Sequence, residues 1–171
     1  MSAEINNRYT PLIKSIMRHT NIVNSVMNNS ITLRNDVVLP VQEWMVVELI
    51  VEQQEEYNSM VELSRMIGLP PSTFFRKVSH LQKIHLVDKY RVQGNKKNII
   101  LRPTELARSI YEEQTPILRN GVWDAFYKEL EPLSDSDINI ITNAFDKLNG
   151  TLPASQFTQE LELIKIESGG G

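Results

Sequence analysis

The chain of 171 residues contains no cysteine. A disulfide framework and a thiol redox switch are therefore excluded. Long apolar runs are missing too: no uninterrupted stretch approaches the length that crosses a bilayer, and the opening residues MSAEINNRYT do not place a basic segment before an apolar one. A cytoplasmic protein with no membrane partner is expected. The sequence also lacks a glycine-rich phosphate loop, the paired histidines of a metalloprotease helix and a nucleophile elbow. Scattered Ser, His and Asp residues do not replace them, so a non-enzyme with no catalytic residues and no cofactor is expected. Three histidines, His19, His80 and His85, are the only material for a metal site rich in nitrogen. His80 and His85 stand five apart with no cysteine or paired carboxylates nearby, which matches no familiar zinc spacing, and no metal is expected.

Positive charge is concentrated in one stretch. From Arg65 to Arg102 there are nine Lys or Arg residues (Arg65, Arg76, Lys77, Lys83, Lys89, Arg91, Lys96, Lys97 and Arg102) against a single acid, Asp88. The segment carries +8 and the rest of the chain −11, which together give the net −3. A field of one sign on a compact substructure attracts polyanions whatever the pI of the whole chain, because phosphate contacts are local and each releases counterions. Nucleic acid is the first partner to consider. A solvated basic face is the alternative, and the residues between the charges decide between them.

Those residues have helical period for most of the length. Ile5, Tyr9, Leu12, Ile13, Ile16, Met17, Val23, Val26 and Met27 recur at three- and four-residue steps, which predicts one long helix over residues 4–29. Pro40 suits the first turn of a second helix. There Val41, Trp44, Met45, Val46, Val47, Leu49, Ile50 and Val51 cover nearly the whole circumference, as in a helix at the centre of a domain. Ser59 followed by Glu62 fits a capping box, and Gly68 ends the short helix that follows. Pro70 and Pro71 then open a fourth helix with Phe74, Val78 and Leu81 on one face. Two short helices joined by a tight turn containing glycine make a helix-turn-helix.

Beyond it the period changes. Leu86, Val87, Tyr90 and Val92, a turn at Gly94-Asn95, and Ile99, Ile100 and Leu101 predict a two-stranded hairpin with a basic tip. Pro103 and Thr104 open a further helix, which Pro116 is expected to kink or divide. Ser134 with Asp137 caps a last clear helix whose Ile138, Ile141, Phe145 and Leu148 face inward. Gln156 to Ile166 is expected to add an amphipathic turn or two, and Ser168 to Gly171 a flexible end.

The helix that begins at Pro71 turns Ser72, Phe75, Arg76, Ser79 and Lys83 away from Phe74, Val78 and Leu81. Such a face fits a major groove: Arg76 contacts guanine or phosphate, the hydroxyls of Ser72, Thr73 and Ser79 bond phosphates or base edges, and Phe75 packs on thymine methyl groups. Arg91, Lys96 and Lys97 around the hairpin turn make a wing for the adjacent minor groove or backbone, with Lys77 and Lys83 also on phosphates.

At this point the chain resembles the MarR family of bacterial transcription regulators, over approximately residues 5–148. The resemblance is carried by the long N-terminal helix, the buried helix, Glu62-Leu63-Ser64-Arg65-Met66-Ile67-Gly68-Leu69, the segment Ser72-Thr73-Phe74-Phe75-Arg76-Lys77-Val78-Ser79-His80-Leu81, the strand Leu86-Val87-Asp88-Lys89-Tyr90-Arg91, a wing, and Leu101 to Ala107. It implies a homodimer with winged helix-turn-helix domains on a pseudo-palindromic operator, often relieved by a small aromatic or phenolic ligand. Three departures stand out. The wing has Asn95, Lys96 and Lys97 where the family usually pairs Asp with Arg, His85 stands where glycine is common, and Pro70 occupies a usual serine cap.

The expected class is thus mainly α with a small β hairpin. Its parts are an N-terminal dimerisation helix (1–34), a winged helix-turn-helix DNA-binding domain (35–103), C-terminal dimerisation helices (104–150) and an extension, 151–171. Independently of the resemblance, helices 4–29 and 104–148 hold more apolar positions than one small domain covers, and intertwining with a second copy would bury them. By resemblance, Tyr9, His19, Trp44, Tyr111 and Trp123 are candidates to line an effector pocket, with plain core as the alternative reading. The expected function is a ligand-responsive repressor; the rival is a winged-helix module whose basic face meets an acidic protein partner.

Overall fold

The computed structural model describes residues 3–34, 37–92, 95–150 and 163–166, the side chains at 3–7, 95–97, 122 and 163–166 excepted. The chain divides into two compact units, Met1–Trp44 and Met45–Gly171.

In the first unit α1, Ala3–Val26, runs through Pro11 without a break. A short hairpin follows, β1 (Ser30–Thr32) against β2 (Val38–Pro40), in the register Ser30 with Pro40 and Ile31 with Leu39. It buries Leu33 and Leu39, whereas Leu12, Ile13 and Met17 of α1 are exposed. Pro40 closes the strand, and α2 (Val41–Glu52) begins one residue later. The amides of Val41 and Gln42 donate to the carbonyls of Asn29 and Met27, fixing the start of α2 to the segment that follows α1.

The second unit is built on the rest of α2, whose Val46, Val47, Ile50 and Val51 are all buried. Ser59 caps α3 (Met60–Met66) with both bonds of a capping box: its hydroxyl accepts the Glu62 amide and its own amide donates to Glu62 Oε2 at 2.7 Å. Gly68, at φ +72°, makes the turn, and the Leu69 amide closes it on the Ser64 carbonyl at 2.9 Å. A β-carbon at Gly68 meets nothing within 4 Å, so the left-handed backbone, not space, selects glycine. Then come α4 (Pro71–Lys83), β3 (Val87–Val92) and β4 (Asn95–Pro103), with Lys89 opposite Leu101 and Arg91 opposite Ile99. An isolated bridge joins Ser59 to Ile100. Phe74, Val78, Leu81, Leu86, Val87, Ile100, Leu101, Ala107 and Ile110 form the core. Each large side chain among them contributes about 1.5–3 kcal/mol by leaving water.

Thr104 caps α5 (Glu105–Val122), accepting the Ala107 amide while its hydroxyl donates to the His85 carbonyl at 2.8 Å. Pro116 does not divide α5. The interruption falls at Trp123, ahead of α6 (Asp124–Leu130). A polar seam explains the continuity. Tyr111 donates to Glu52 (3.0 Å), the Thr115 hydroxyl donates to Glu48 (3.4 Å), and Arg119 bonds Glu52 (2.6 Å), so α2 grips α5 on both sides of the proline. Burial, then the Glu52 hydrogen bond, push the Tyr111 phenol above its usual pKa.

The last helix, α7 (Asp135–Asn149), has the Ser134–Asp137 capping box and ends at Gly150 in the left-handed region. Neither α6 nor α7 buries a single residue in this chain. Phe145 and Leu148, expected to face inward, are exposed. Leu163–Ile166 corrects the expected helical turn: it is a strand, β5, paired antiparallel with the free edge of β3. The rest of that expectation, Gln156 to Glu162, lies outside the described residues, as do the turn residue Gly94 and the end Ser168–Gly171. Among the described residues no helix is long and apolar enough to cross a membrane.

Candidate nucleic-acid interface

The face of α4 opposite its core side is open. Ser72, Arg76 and Lys83 are exposed, Phe75 is 37% exposed, and Thr73 and Ser79 are half-buried at its flanks. Phe74, Val78 and Leu81 are fully buried on the other side, so the orientation of the helix is fixed by packing and not by the charges. No side chain caps α4: Pro70 is the N-cap and Pro71 the first helical residue. The Ser72 and Thr73 amides therefore meet the helix end without a capping oxygen, and an anion there gains from those donors and from the helix dipole.

Lys77 corrects the expectation. It is 8% exposed, because on the helix it lies about 60° from Phe74, beside the buried stripe. Its placement withdraws it from the cations offered to phosphate. Arg102 is occupied as well: its guanidinium lies 5.3 Å from the centre of the Tyr57 ring and donates to the Glu56 carbonyl at 2.9 Å. The wing contributes Arg91, which is exposed on β3. Lys96 and Lys97 are on β4, and their side chains lie outside the described residues.

One residue escaped the sequence reading. Lys89, on β3, donates from Nζ to Ser79 Oγ at 3.3 Å, joining the strand to α4. The Ser79 hydroxyl in turn donates to the Phe75 carbonyl at 2.9 Å, so its proton is engaged in the helix and not offered to a base edge. Half-burial lowers the Lys89 pKa by desolvation. The signal was present in the sequence as the two-residue step from Lys89 to Arg91, which puts both on one side of a strand. His85 holds φ +59° after α4, the left-handed turn its place in the sequence asked for.

Arg76, Lys83, Arg91 and Arg65 of α3 are exposed, and Lys89 stands between helix and wing. Among the solved structures, a MarR/EmrR family transcriptional regulator from Acinetobacter sp. ADP1 superposes with a TM-score of 0.55 over 85% of this chain and 95% of its own, at 14% identity. The chain has the MarR fold. Streptococcus pneumoniae FabT, solved in complex with DNA, is similar over 84% of this chain and 94% of its own (TM-score 0.52, 14% identity). PcaV from Streptomyces coelicolor, solved in complex with its natural ligand, is similar over 88% and 97% (TM-score 0.53, 16% identity). No family model matches the sequence, and no curated protein matches it.

Of the residues named for an effector pocket, three belong to the first unit and two to the second. In the first, Tyr9 and His19 are exposed on α1, and Trp44 is buried with no partner for its indole N–H among the described residues. In the second, Tyr111 is bound to Glu52, and Trp123 meets Phe126 edge to face with centroids 5.8 Å apart. Among the described residues no three His, Asp or Glu side chains converge as a metal site.

Proposed function

We propose that this protein is a DNA-binding transcription regulator, a ligand-responsive repressor that acts as a homodimer on a pseudo-palindromic operator. The observation that carries the reading is the exposed face of α4, where Ser72, Phe75, Arg76 and Lys83 stand opposite a fully buried Phe74–Val78–Leu81 stripe with Arg91 of the wing beside them. Arg76 reads a base, Phe75 supplies apolar contact, and Ser72, Thr73, Lys83, Lys89, Arg91, Lys96 and Lys97 hold phosphates. FabT, of the same fold, was solved with DNA.

The dimer is supported by α6 and α7, which bury nothing within one chain, and by the exposed apolar positions of α1. On this reading the dimerisation segments are residues 1–34 and 104–150, around a DNA-binding domain at 35–103. A two-fold dimer presents two α4 helices to half-sites about 34 Å apart. The effector is a small aromatic or phenolic molecule. Its support is the buried Trp44 N–H, a donor without an acceptor among the described residues. An effector acts through its differential affinity for dimers with matched and mismatched helix spacing.

Sequencing the genomic fragments retained by the purified protein tests the reading. Enrichment of a two-fold repeat with half-sites one turn apart is expected. A featureless set, together with binding to random duplex that does not weaken with salt, would reject it and return the acidic protein partner.

A further inference from the structure

The wing has a third strand that the sequence did not announce. Leu163–Ile166 lies along β3 on the side away from β4, with Leu163 opposite Val92, Ile164 opposite Arg91, Lys165 opposite Tyr90 and Ile166 opposite Lys89. The sheet order is β4-β3-β5, so the strand that carries Lys89 and Arg91 becomes the central one. An uncovered β3 would present a row of free amides and carbonyls. A two-stranded ribbon is also marginal in water, and a third strand is what such a ribbon needs to hold its shape.

The covered edge belongs to the interface proposed above. Lys89 bridges to Ser79 of α4 and Arg91 is the described wing cation, and both lie within the four paired positions. Pairing along an edge uses the backbone and leaves strand faces open. Arg91 is indeed exposed with β5 in place. A segment that masked the wing would instead cover that cation. The sequence suits an edge partner: Leu163-Ile164-Lys165-Ile166 has two β-branched residues, a cation and no proline.

We infer that the outer edge of β3 is a β-augmentation site whose occupant is the chain's own C-terminal segment, and that its occupancy orders the wing for phosphate contact. The second half of this inference rests on the DNA-binding reading. Main-chain hydrogen bonds supply such pairing, so it responds to loss of amides more than to changes of side chain. Ordering the hairpin before DNA arrives removes that ordering from the binding step.

The test uses the full-length protein carrying Ile164→Pro and Ile166→Pro, with deletion of residues 151–171 as an independent variant. Amide hydrogen exchange of Lys89 to Val92 is read alongside titration of random duplex at two salt concentrations. Faster exchange at β3 is expected in both variants. DNA binding should weaken, with a salt slope shallower by about 0.9 for each phosphate that the wing no longer neutralises. A peptide of residues 158–171 added to the truncated protein should restore both. Unchanged exchange in both variants would overturn the augmentation site. Faster exchange with DNA affinity and slope unaltered would overturn the ordering role, as would tighter DNA binding by the truncated protein. A wild-type protein with no salt-dependent DNA binding strikes down the regulator reading, and the exchange data then still decide the pairing.

Discussion

Replacing Lys89 by methionine separates the wing's contribution to folding from its contribution to DNA binding. Among the described residues the partner of its Nζ is neutral, the Ser79 hydroxyl at 3.3 Å, and burial already holds its pKa below the usual 10.5. Methionine keeps the apolar stem and removes the charge. The missing hydrogen bond and the relieved desolvation oppose each other, so folding stability should move by no more than about 1 kcal/mol. DNA binding has no such offset. Neutralising one phosphate fewer lowers the slope of log K against log salt by about 0.9, so the wild-type advantage shrinks about 3.5-fold between 50 and 200 mM salt. Lys89→Arg should keep the slope. There is also a pH signature. In the folded protein this lysine loses its proton first, so just below pH 10.5 the unfolded chain binds more protons and the group's contribution to stability rises with pH. Denaturant midpoints collected across that window should show the rise in wild type and not in Lys89→Met. Equal salt slopes for wild type and Lys89→Met would refute the phosphate role, and a stability loss above about 2 kcal/mol would make the residue a structural tie instead.

The same geometry yields three further expectations. Arg76→Ala should cost about 1–3 kcal/mol on a selected operator and relax preference at one base pair, while Lys77→Ala, at a buried position, should leave the salt slope unchanged; gel-shift titrations on specific and random duplex compare them. His85→Gly should raise the urea midpoint, worth up to about 1 kcal/mol, because φ +59° strains a residue with a β-carbon; an unchanged or lowered midpoint would remove the strain argument. Ile140 and Leu148 are each 65% exposed in one chain, so Ile140→Glu with Leu148→Glu should barely alter secondary structure yet convert a dimer to a monomer in sedimentation. A wild-type monomer at micromolar concentration would undo that expectation.

Local signals in the sequence translated well and non-local ones did not. The capping boxes at Ser59–Glu62 and Ser134–Asp137 and the stop at Gly68 each depend on a few neighbouring residues, and all are present. The burial of Trp44, Val46, Val47, Ile50 and Val51 on α2 was visible because a helix apolar around most of its circumference has only one place to go. Short sheet segments were not visible. β1 and β2 have three residues each, too few to establish alternation, and β5 exists only because a distant strand has a vacant edge. Pro116, expected to kink or divide the helix, does not divide it: its local cost is real, but contacts to Glu48 and Glu52 from α2 hold the helix through it. In the candidate site, the exposed face of α4 followed from helical period, whereas the fate of single cations did not. Lys77 and Arg102 look identical to Arg76 in a charge count, and only packing assigns one to the core boundary and the other to the Tyr57 ring.

On the DNA-binding reading, the uneven charge of the chain acquires a purpose once those assignments are made. Removing Lys77 and Arg102 from the interface leaves Arg65, Arg76, Lys83, Lys89 and Arg91 among the described side chains, still opposed in that stretch by Asp88 alone. Residues 104–150, by contrast, hold nine acids against four bases. On that reading, a duplex in ionic solution is attracted to α4 and the wing and repelled by the acidic helices, and both forces fade within about 10 Å at 0.1 M salt. The pairing of signs orients the encounter before any base is read. It follows that neutralising acids on α5 to α7 should raise affinity for random DNA more than for an operator, because repulsion suppresses wrong orientations and specific contacts already select the right one.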